Sequence, residues 1–378
     1  MKEQDTRTVR KMQAYRVEKD SKEMSLQTVP VPSLGAQDVL IKVKSVGLAP
    51  GVFTMMRMGM LKSLPYTLGH EIAGVIEEIG SDVRDLGHGD RIRIHSNVSC
   101  GKCRYCASGD DQMCVEAGIM GFKYFGKPGR TGRWDKYRDG GLAEYVRAPS
   151  WLVQHLPENV NFDVGAKVHE LATAYRTLCQ ARLKPGATLI VIAAPGAVGA
   201  SVVKLVPLFG VKRLVLVGRS TQRLQKVQSL SQVKCDLVGF DEIEPGFDQG
   251  GFGLSNTLQQ MIPEGADAIV DLLGSTGNGY PVCRAMAVRG TYVHLGGNMT
   301  PLPMPALQLM VNCWTFVGTR NHSRGDSEMI LGFLREGHIK ADELVTDRWN
   351  FDEAPQAVQN LVDRSSGGWF SVINIHDT

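Results

Sequence analysis

From Ala14 to about Arg147, apolar runs of strand length are broken by turn residues, as in Val39-Leu40-Ile41-Lys42-Val43 and Ile72-Ala73-Gly74-Val75-Ile76. That punctuation predicts a series of short strands and a mostly β first part. The pattern changes near Ala172-Thr173-Ala174-Tyr175, where helical spacing begins. After Lys184-Pro185-Gly186 the run Thr188-Leu189-Ile190-Val191-Ile192 opens an alternation of strands and helices. Further strands are expected at Arg213-Leu214-Val215-Leu216-Val217, Ala268-Ile269-Val270-Asp271 and Thr291-Tyr292-Val293-His294-Leu295. Alternation of this kind predicts a parallel sheet covered by helices.

With 378 residues the chain is long for a single core, so two domains are expected. No apolar run is long enough to cross a bilayer, and the N-terminus lacks a signal-peptide pattern, which points to a cytoplasmic protein with no membrane partner. The formal charge is +3 with acids and bases intermixed, unlike the basic stripe that nucleic-acid binding requires. Residues Met1 to Lys11 are polar and aperiodic and are expected to fray or to serve oligomer contacts.

Cys100, Cys103, Cys106 and Cys114 form a C-x2-C-x2-C-x7-C array. This spacing lets four thiolates converge on one tetrahedral ion, and a site filled by four identical soft ligands leaves no position open for substrate. It reads as structural zinc. A large globular chain without a secretory signal has little use for disulfide staples.

Around that array stand Gly69-His70-Glu71-Ile72-Ala73-Gly74-Val75 and Gly89-Asp90-Arg91 upstream, then Gly140-Gly141-Leu142-Ala143-Glu144-Tyr145 and a glycine-bearing strand-to-helix turn downstream. In this order the landmarks resemble the medium-chain dehydrogenase/reductase superfamily of zinc alcohol dehydrogenases, from about Met12 to the C-terminus. The resemblance implies an α/β fold. A Rossmann domain with a doubly wound parallel sheet would occupy residues 171–315. A partly closed, mostly β catalytic (GroES-like) domain would comprise residues 1–170 and 316–378, with the zinc lobe at 95–116. It also implies an oxidoreductase that acts on a small-molecule substrate as a homodimer or homotetramer.

Ala194-Pro195-Gly196-Ala197-Val198-Gly199 follows a buried strand and precedes a helix, the context in which a G-x-G-x-x-G-like turn binds a dinucleotide. Gly196 permits approach of the pyrophosphate and Gly199 permits helix-on-strand packing, while Ala194 replaces the first glycine. At the end of the next strand, where an acidic residue would favour NAD(H), the chain has Val217-Gly218-Arg219-Ser220 with Arg223 beyond. Arg219, Ser220 and Arg223 suit a 2′-phosphate, so NADP(H) is expected over NAD(H). By resemblance Thr173 is counted with the cofactor contacts.

The resembled enzymes carry a cysteine ligand where this chain has Ala49, then the histidine of G-H-E, then a cysteine or carboxylate before the T-x-Y helix. Here the second position is His70 and the third is His169 or its neighbour Glu170. Pro50, Gly51 and Val52 stand where the family carries a relay hydroxyl and an aspartate. Two readings remain open. Either His70, Glu71 and His169 hold a second zinc or another divalent ion that polarises a carbonyl, or the histidines act without metal as donors or acids beside the nicotinamide. Pro50, Arg57 and Gly59 also resemble the substrate loop of zinc-independent quinone and enoyl reductases, so reduction of a C=C bond in an enone or enoyl thioester is the alternative activity. A nucleotide-binding protein without turnover is the third.

The stretch from Val115 to Asp139 is rich in Lys123, Lys127, Arg130, Arg133, Lys136 and Arg138 and suits an anionic substrate group or acyl thioester, with a solvated loop as the plainer reading. Met55, Met56, Met58 and Met60 suit an adaptable apolar wall or core packing, and Cys179, Cys235, Cys283 and Cys313 are expected in the core.

Overall fold

The computed structural model describes residues 10–239, 253–274, 282–298, 305–363 and 367–375. The chain divides into two compact units, Met1–His169 with Ser323–Thr378, and Glu170–His322.

The first unit is mostly β. One sheet runs in the order Val153–His155, Arg91–Ile94, Glu71–Ile79, Asp38–Leu48, Phe370–Asn374 and Val345–Asn350, and Tyr145–Pro149 also pairs with Asp38–Leu48. A three-stranded sheet joins Met24–Pro30, Lys11–Val17 and Tyr66–Thr67. Strand Asp38–Leu48 is the centre, since it pairs with three others and buries Val39, Ile41, Val43, Val46 and Leu48. Its partner residues Ile72 and Ile76, with Ile92, Ile94 and Val146 of adjoining strands, complete one continuous core. The expected runs at 39–43 and 72–76 lie within these strands.

The second unit carries a six-stranded sheet ordered Lys234–Gly239, Arg213–Gly218, Thr188–Ile192, Ala266–Asp271, Met286–His294 and Thr315–Gly318. Every pairing in it is parallel. The first strand of the series lies inside the order and the chain winds outward from it in both directions, which is the doubly wound arrangement. Leu189, Ile190 and Val191 are all fully buried, as a sheet covered on both faces requires.

Several expectations need correction. The helix expected near Ala172 starts at Phe162 and runs to Gln180. Asn161 starts it, its side chain accepting from the Val164 amide at 2.9 Å and its carbonyl from the Gly165 amide at 2.9 Å. The division between units falls within this helix, after His169. The second crossing comes at Ser323 rather than 316, because Thr315–Gly318 still pairs with Met286–His294. Cys283 is buried and Cys235 half-buried, but Cys179 and Cys313 are exposed. Of the methionines only Met56 is fully buried, Met55 packs on the core edge, and Met58 and Met60 are exposed. Within the expected tail, residues 1–9 lie outside the described residues, whereas Lys11 opens the first strand and Arg10 pairs with Glu77 and Glu78.

Candidate active site and metal centres

His70 follows a bend at Gly69 whose φ of 95° lies in the left-handed region, where a Cβ would also come within 2.8 Å of Val46. Glu71 begins the next strand, and His169 reaches the same point from helix Phe162–Gln180. The donor atoms of His70, Glu71 and His169 all lie within 4.8 Å of one another. The two imidazoles are 4.7 Å apart between centroids and nearly perpendicular, and His70 Nε2 is 3.7 Å from Glu71 Oε1. All three residues are buried. Glu170, the other candidate for the third position, is buried too but is not one of the three.

The Glu71 carboxylate has two different oxygens. Oε2 accepts a hydrogen bond from Lys167 Nζ at 2.6 Å, both side chains being wholly buried. Oε1 has no hydrogen-bond partner among the described residues. A buried, unpaired carboxylate oxygen beside two imidazoles is costly unless an ion or proton meets it. Two ring nitrogens and one carboxylate oxygen form a donor set suited to zinc or a similar divalent ion, so these residues fit one. Ala49 offers no donor. It precedes helix Pro50–Arg57, and its carbonyl accepts from the Val52 amide at 3.1 Å.

Lys167 was missed by sequence reasoning, although a lysine inside Val164-Gly165-Ala166-Lys167-Val168 signals a buried partner. Gly47 is its counterpart, since a Cβ there would lie 2.1 Å from Glu71 Oε2 and 2.6 Å from Lys167 Cδ. Phe122 was missed as well. Its ring stacks on His70 at 5.9 Å with an interplanar angle of 25°. Lys123 lies beside it, and burial pushes its ammonium below the usual lysine range.

The four array cysteines are free thiols whose sulfurs also lie within 4.8 Å of one another. Cys100 and Cys103 sulfurs are 3.9 and 3.6 Å from that of Cys106, against about 3.8 Å expected around a tetrahedral zinc. Backbone amides of Cys103, Cys100 and Glu116 point at sulfurs over 3.2–3.3 Å, as they do toward thiolates. At Cys103 burial pushes the thiol up but is outweighed by hydrogen bonds from the Cys106 and Val115 backbone, leaving it at about 6. The lobe fits a structural zinc. Asp111 anchors it, accepting from the Arg324 amide at 2.8 Å and meeting His95 Nε2 at 2.7 Å. Burial is the largest influence on His95 and lowers its proton affinity, against the bond to Asp111.

In the second unit, Gly196 precedes helix Ala197–Leu205. A Cβ on Gly199 would strike the Ala194 carbonyl at 2.3 Å, whereas one on Gly196 would meet only the Ala193 oxygen at 3.5 Å. Gly199 therefore serves internal packing, and the space at Gly196 is open to a pyrophosphate, which fits a dinucleotide. Ala197 and Val198 supply the first amides of the helix. Beyond Gly218, Arg219 is exposed, and Ser220 caps helix Thr221–Gln228 by accepting from the Arg223 amide. Neither guanidinium, of Arg219 or Arg223, has an ion-pair partner among the described residues. Thr173 is buried with its hydroxyl 3.3 Å from His322 Nδ1.

The basic segment resolves into separate roles. Arg133 meets Glu116 at 3.6 Å and lies over Trp151, Lys136 meets Asp38 at 3.4 Å, and Arg138 donates to the Ser63 carbonyl at 3.1 Å. Lys127 and Arg130 are exposed.

The model of the alcohol dehydrogenase GroES-like domain matches residues 35–158. An L-idonate 5-dehydrogenase of Vitis vinifera is 28% identical over 92% of this chain and 90% of its own length. An NAD-dependent alcohol dehydrogenase of Sulfurisphaera tokodaii is 28% identical over 93% and 96% respectively. Among solved structures, the alcohol dehydrogenase TADH from Thermus sp. ATN1 superposes with a TM-score of 0.81 at 22% identity, covering 97% of this chain and 100% of that one.

Two outcomes are expected. Cys103→Ser, measured by elemental analysis and thermal denaturation, should lose one zinc per chain and lower Tm by about 5 °C or more, because binding at a closed thiolate site is coupled to folding. Lys167→Met should cost about 3–5 kcal/mol in urea unfolding by stranding a buried carboxylate, and adding Glu71→Gln should restore part of the loss. A double variant no more stable than Lys167→Met would contradict the pairing.

Proposed function

The chain belongs to the medium-chain dehydrogenase/reductase superfamily and is a nicotinamide-dependent alcohol dehydrogenase-like oxidoreductase, and from that premise we propose that it interconverts an alcohol and a ketone with NADP(H) and a second, catalytic divalent ion. The observation that carries this reading is the buried Glu71 Oε1, without a hydrogen-bond partner among the described residues, beside His70 and His169. His70, Glu71 and His169 would hold the ion, which would supply polarisation of the substrate oxygen, and a nicotinamide cofactor would supply the hydride acceptor or donor for the carbon that bears it.

The chain's own residues do the positioning. Lys167 holds Oε2 of Glu71, so only Oε1 is left for the reacting centre. Glu71 opens a strand, His70 is the residue just before it, and His169 stands on a long helix, so two of the three sit on regular elements and the third is fixed beside one. Gly196 opens the helix Ala197–Leu205 to a pyrophosphate. Arg219 and Arg223, with no carboxylate at the strand end, provide the positive charge that a 2′-phosphate requires.

The alternative of C=C reduction rests on Pro50, Arg57 and Gly59. Arg57 is engaged by the Gln359 side chain, which gives it a structural task and favours the alcohol–ketone reading. Among the described residues no helix is long and apolar enough to cross a membrane, which is consistent with the cytoplasmic location we propose. The homo-oligomer we propose is supported by Leu307, Met310 and Val311 of helix Ala306–Asn312, each more than 60% exposed and next in sequence to the edge strand Thr315–Gly318.

Elemental analysis of dialysed protein should find two divalent ions per chain. His169→Ala should lose one of them and most turnover while keeping Tm, and a wild type with one ion and full alcohol oxidation would overturn the second site. Arg219→Ala should weaken NADPH about tenfold or more by fluorescence titration and leave NADH within about twofold. Equal changes for the two nucleotides would contradict the NADP(H) assignment.

A further inference from the structure

We propose that Lys123 is the specificity-determining residue of this site and that it receives a carboxylate carried by the substrate near its carbinol carbon. The proposal rests on the reading of His70, Glu71 and His169 as the reacting centre and names the substrate class for it.

Lys123 is held in a tight turn. The Ile119 amide donates to the Lys123 carbonyl at 2.8 Å, the Phe122 amide to the Ile119 carbonyl at 3.2 Å, and Gly121 takes a φ of 62°. Two buried aromatics fix the turn: Trp134 Nε1 donates to the Ile119 carbonyl at 2.9 Å, and the Tyr66 hydroxyl donates to that of Phe122. The Phe122 ring that stacks on His70 also faces the Lys123 ammonium, 5.3 Å from the ring centre. Phe125 stands 4.7 Å away and Met55 Sδ, from helix Pro50–Arg57, 3.6 Å away.

These neighbours are two ring faces and a thioether. They stabilise a cation modestly and supply neither a counter-charge nor a strong acceptor. Among the described residues no carboxylate pairs with Lys123, although it is half-buried and has lost part of its hydration. Of its basic neighbours, Arg133 has Glu116 as counter-charge at 3.6 Å, Lys136 has Asp38 at 3.4 Å, and Arg138 donates to the Ser63 carbonyl. Lys123 is therefore the one cation of the segment placed against the same ring as His70 and left with donor capacity. A carboxylate in this position would supply the missing counter-charge through a charge-assisted hydrogen bond, whereas a polyol hydroxyl would supply only a neutral one.

The test uses full-chain protein loaded with NADP(H). Hydroxy acids whose carboxylate lies one, two or three carbons from the carbinol carbon are each compared with the isosteric amide, by calorimetric titration and by steady-state kinetics. Wild type should bind at least one acid about tenfold or more tightly than its amide. Lys123→Met should erase that difference by weakening the acid alone, Lys123→Arg should keep most of it, and added sodium chloride should shrink it in wild type. Unchanged NADPH affinity in both variants would establish that the fold is intact. The proposal is overturned if wild type prefers no acid over its amide, or if Lys123→Met weakens acid and amide equally. Turnover of the amides without any acid preference would leave the alcohol–ketone reading standing and remove Lys123. Lys123-dependent acid binding without hydride transfer would do the reverse.

Discussion

The buried ion pair between Glu71 and Lys167 is the interaction on which the candidate site of the first unit is organised. Oε2 and Nζ are 2.6 Å apart with both side chains at 0% exposure, and each charge would be prohibitive there without the other. The pair also joins four elements. Glu71 comes from one strand and Lys167 from the helix that carries His169, Gly47 of the central strand leaves room for both, and the Lys167 ammonium lies 5.2 Å over the ring of Phe370 in the returning C-terminal strand. Geometry at His70 and His169 follows from this constraint. A salt bridge that fixes one carboxylate oxygen determines where the other points.

The same pair bears on the donor set of the proposed ion site, in which Ala49 takes no part. Ala49, which precedes a helix, carries no ligating side chain, and the donor atoms that the fold brings together are those of His70, Glu71 and His169. In that arrangement Lys167 neutralises the carboxylate on its far side. Glu71 and Lys167 cancel as charges, and the imidazoles add none when neutral. A positive residue close by, such as Lys123 behind Phe122, then faces no nearby protein anion.

Much of the fold was legible because it depends on local pattern. Thr188–Ile192 was readable to the residue as a β-branched run between a Pro-Gly turn and a glycine-bearing turn. The Cys array was legible as a candidate cluster because its four members are close in the chain, and His70 as a candidate because it stands in the Gly69-His70-Glu71 landmark of the resemblance. What the sequence concealed lies across long separations. Lys167 and Glu71 are 96 positions apart, and no local rule pairs them. The early start of helix Phe162–Gln180 was concealed as well, because Asn161 caps it ahead of a stretch in which Gly165 and Lys167 obscure the apolar period.

The segment from Val115 to Asp139 shows why charge counting is a poor guide to function. Six cations in a loop suggest a diffuse positive surface, yet Lys136 and Arg138 tie the loop to Asp38 and Ser63, and Arg133 pairs within it with Glu116. What separates Lys123 from the rest is the rigidity of its backbone. Trp134 and Tyr66 hold the turn through the Ile119 and Phe122 carbonyls, and the Phe122 ring faces both the His70 imidazole and the Lys123 ammonium. Charge on a mobile loop is screened and loses more entropy on binding, whereas a half-desolvated charge on a fixed turn is already placed. In this unit, specificity follows from which cation the aromatic scaffold immobilises, not from how many the sequence provides.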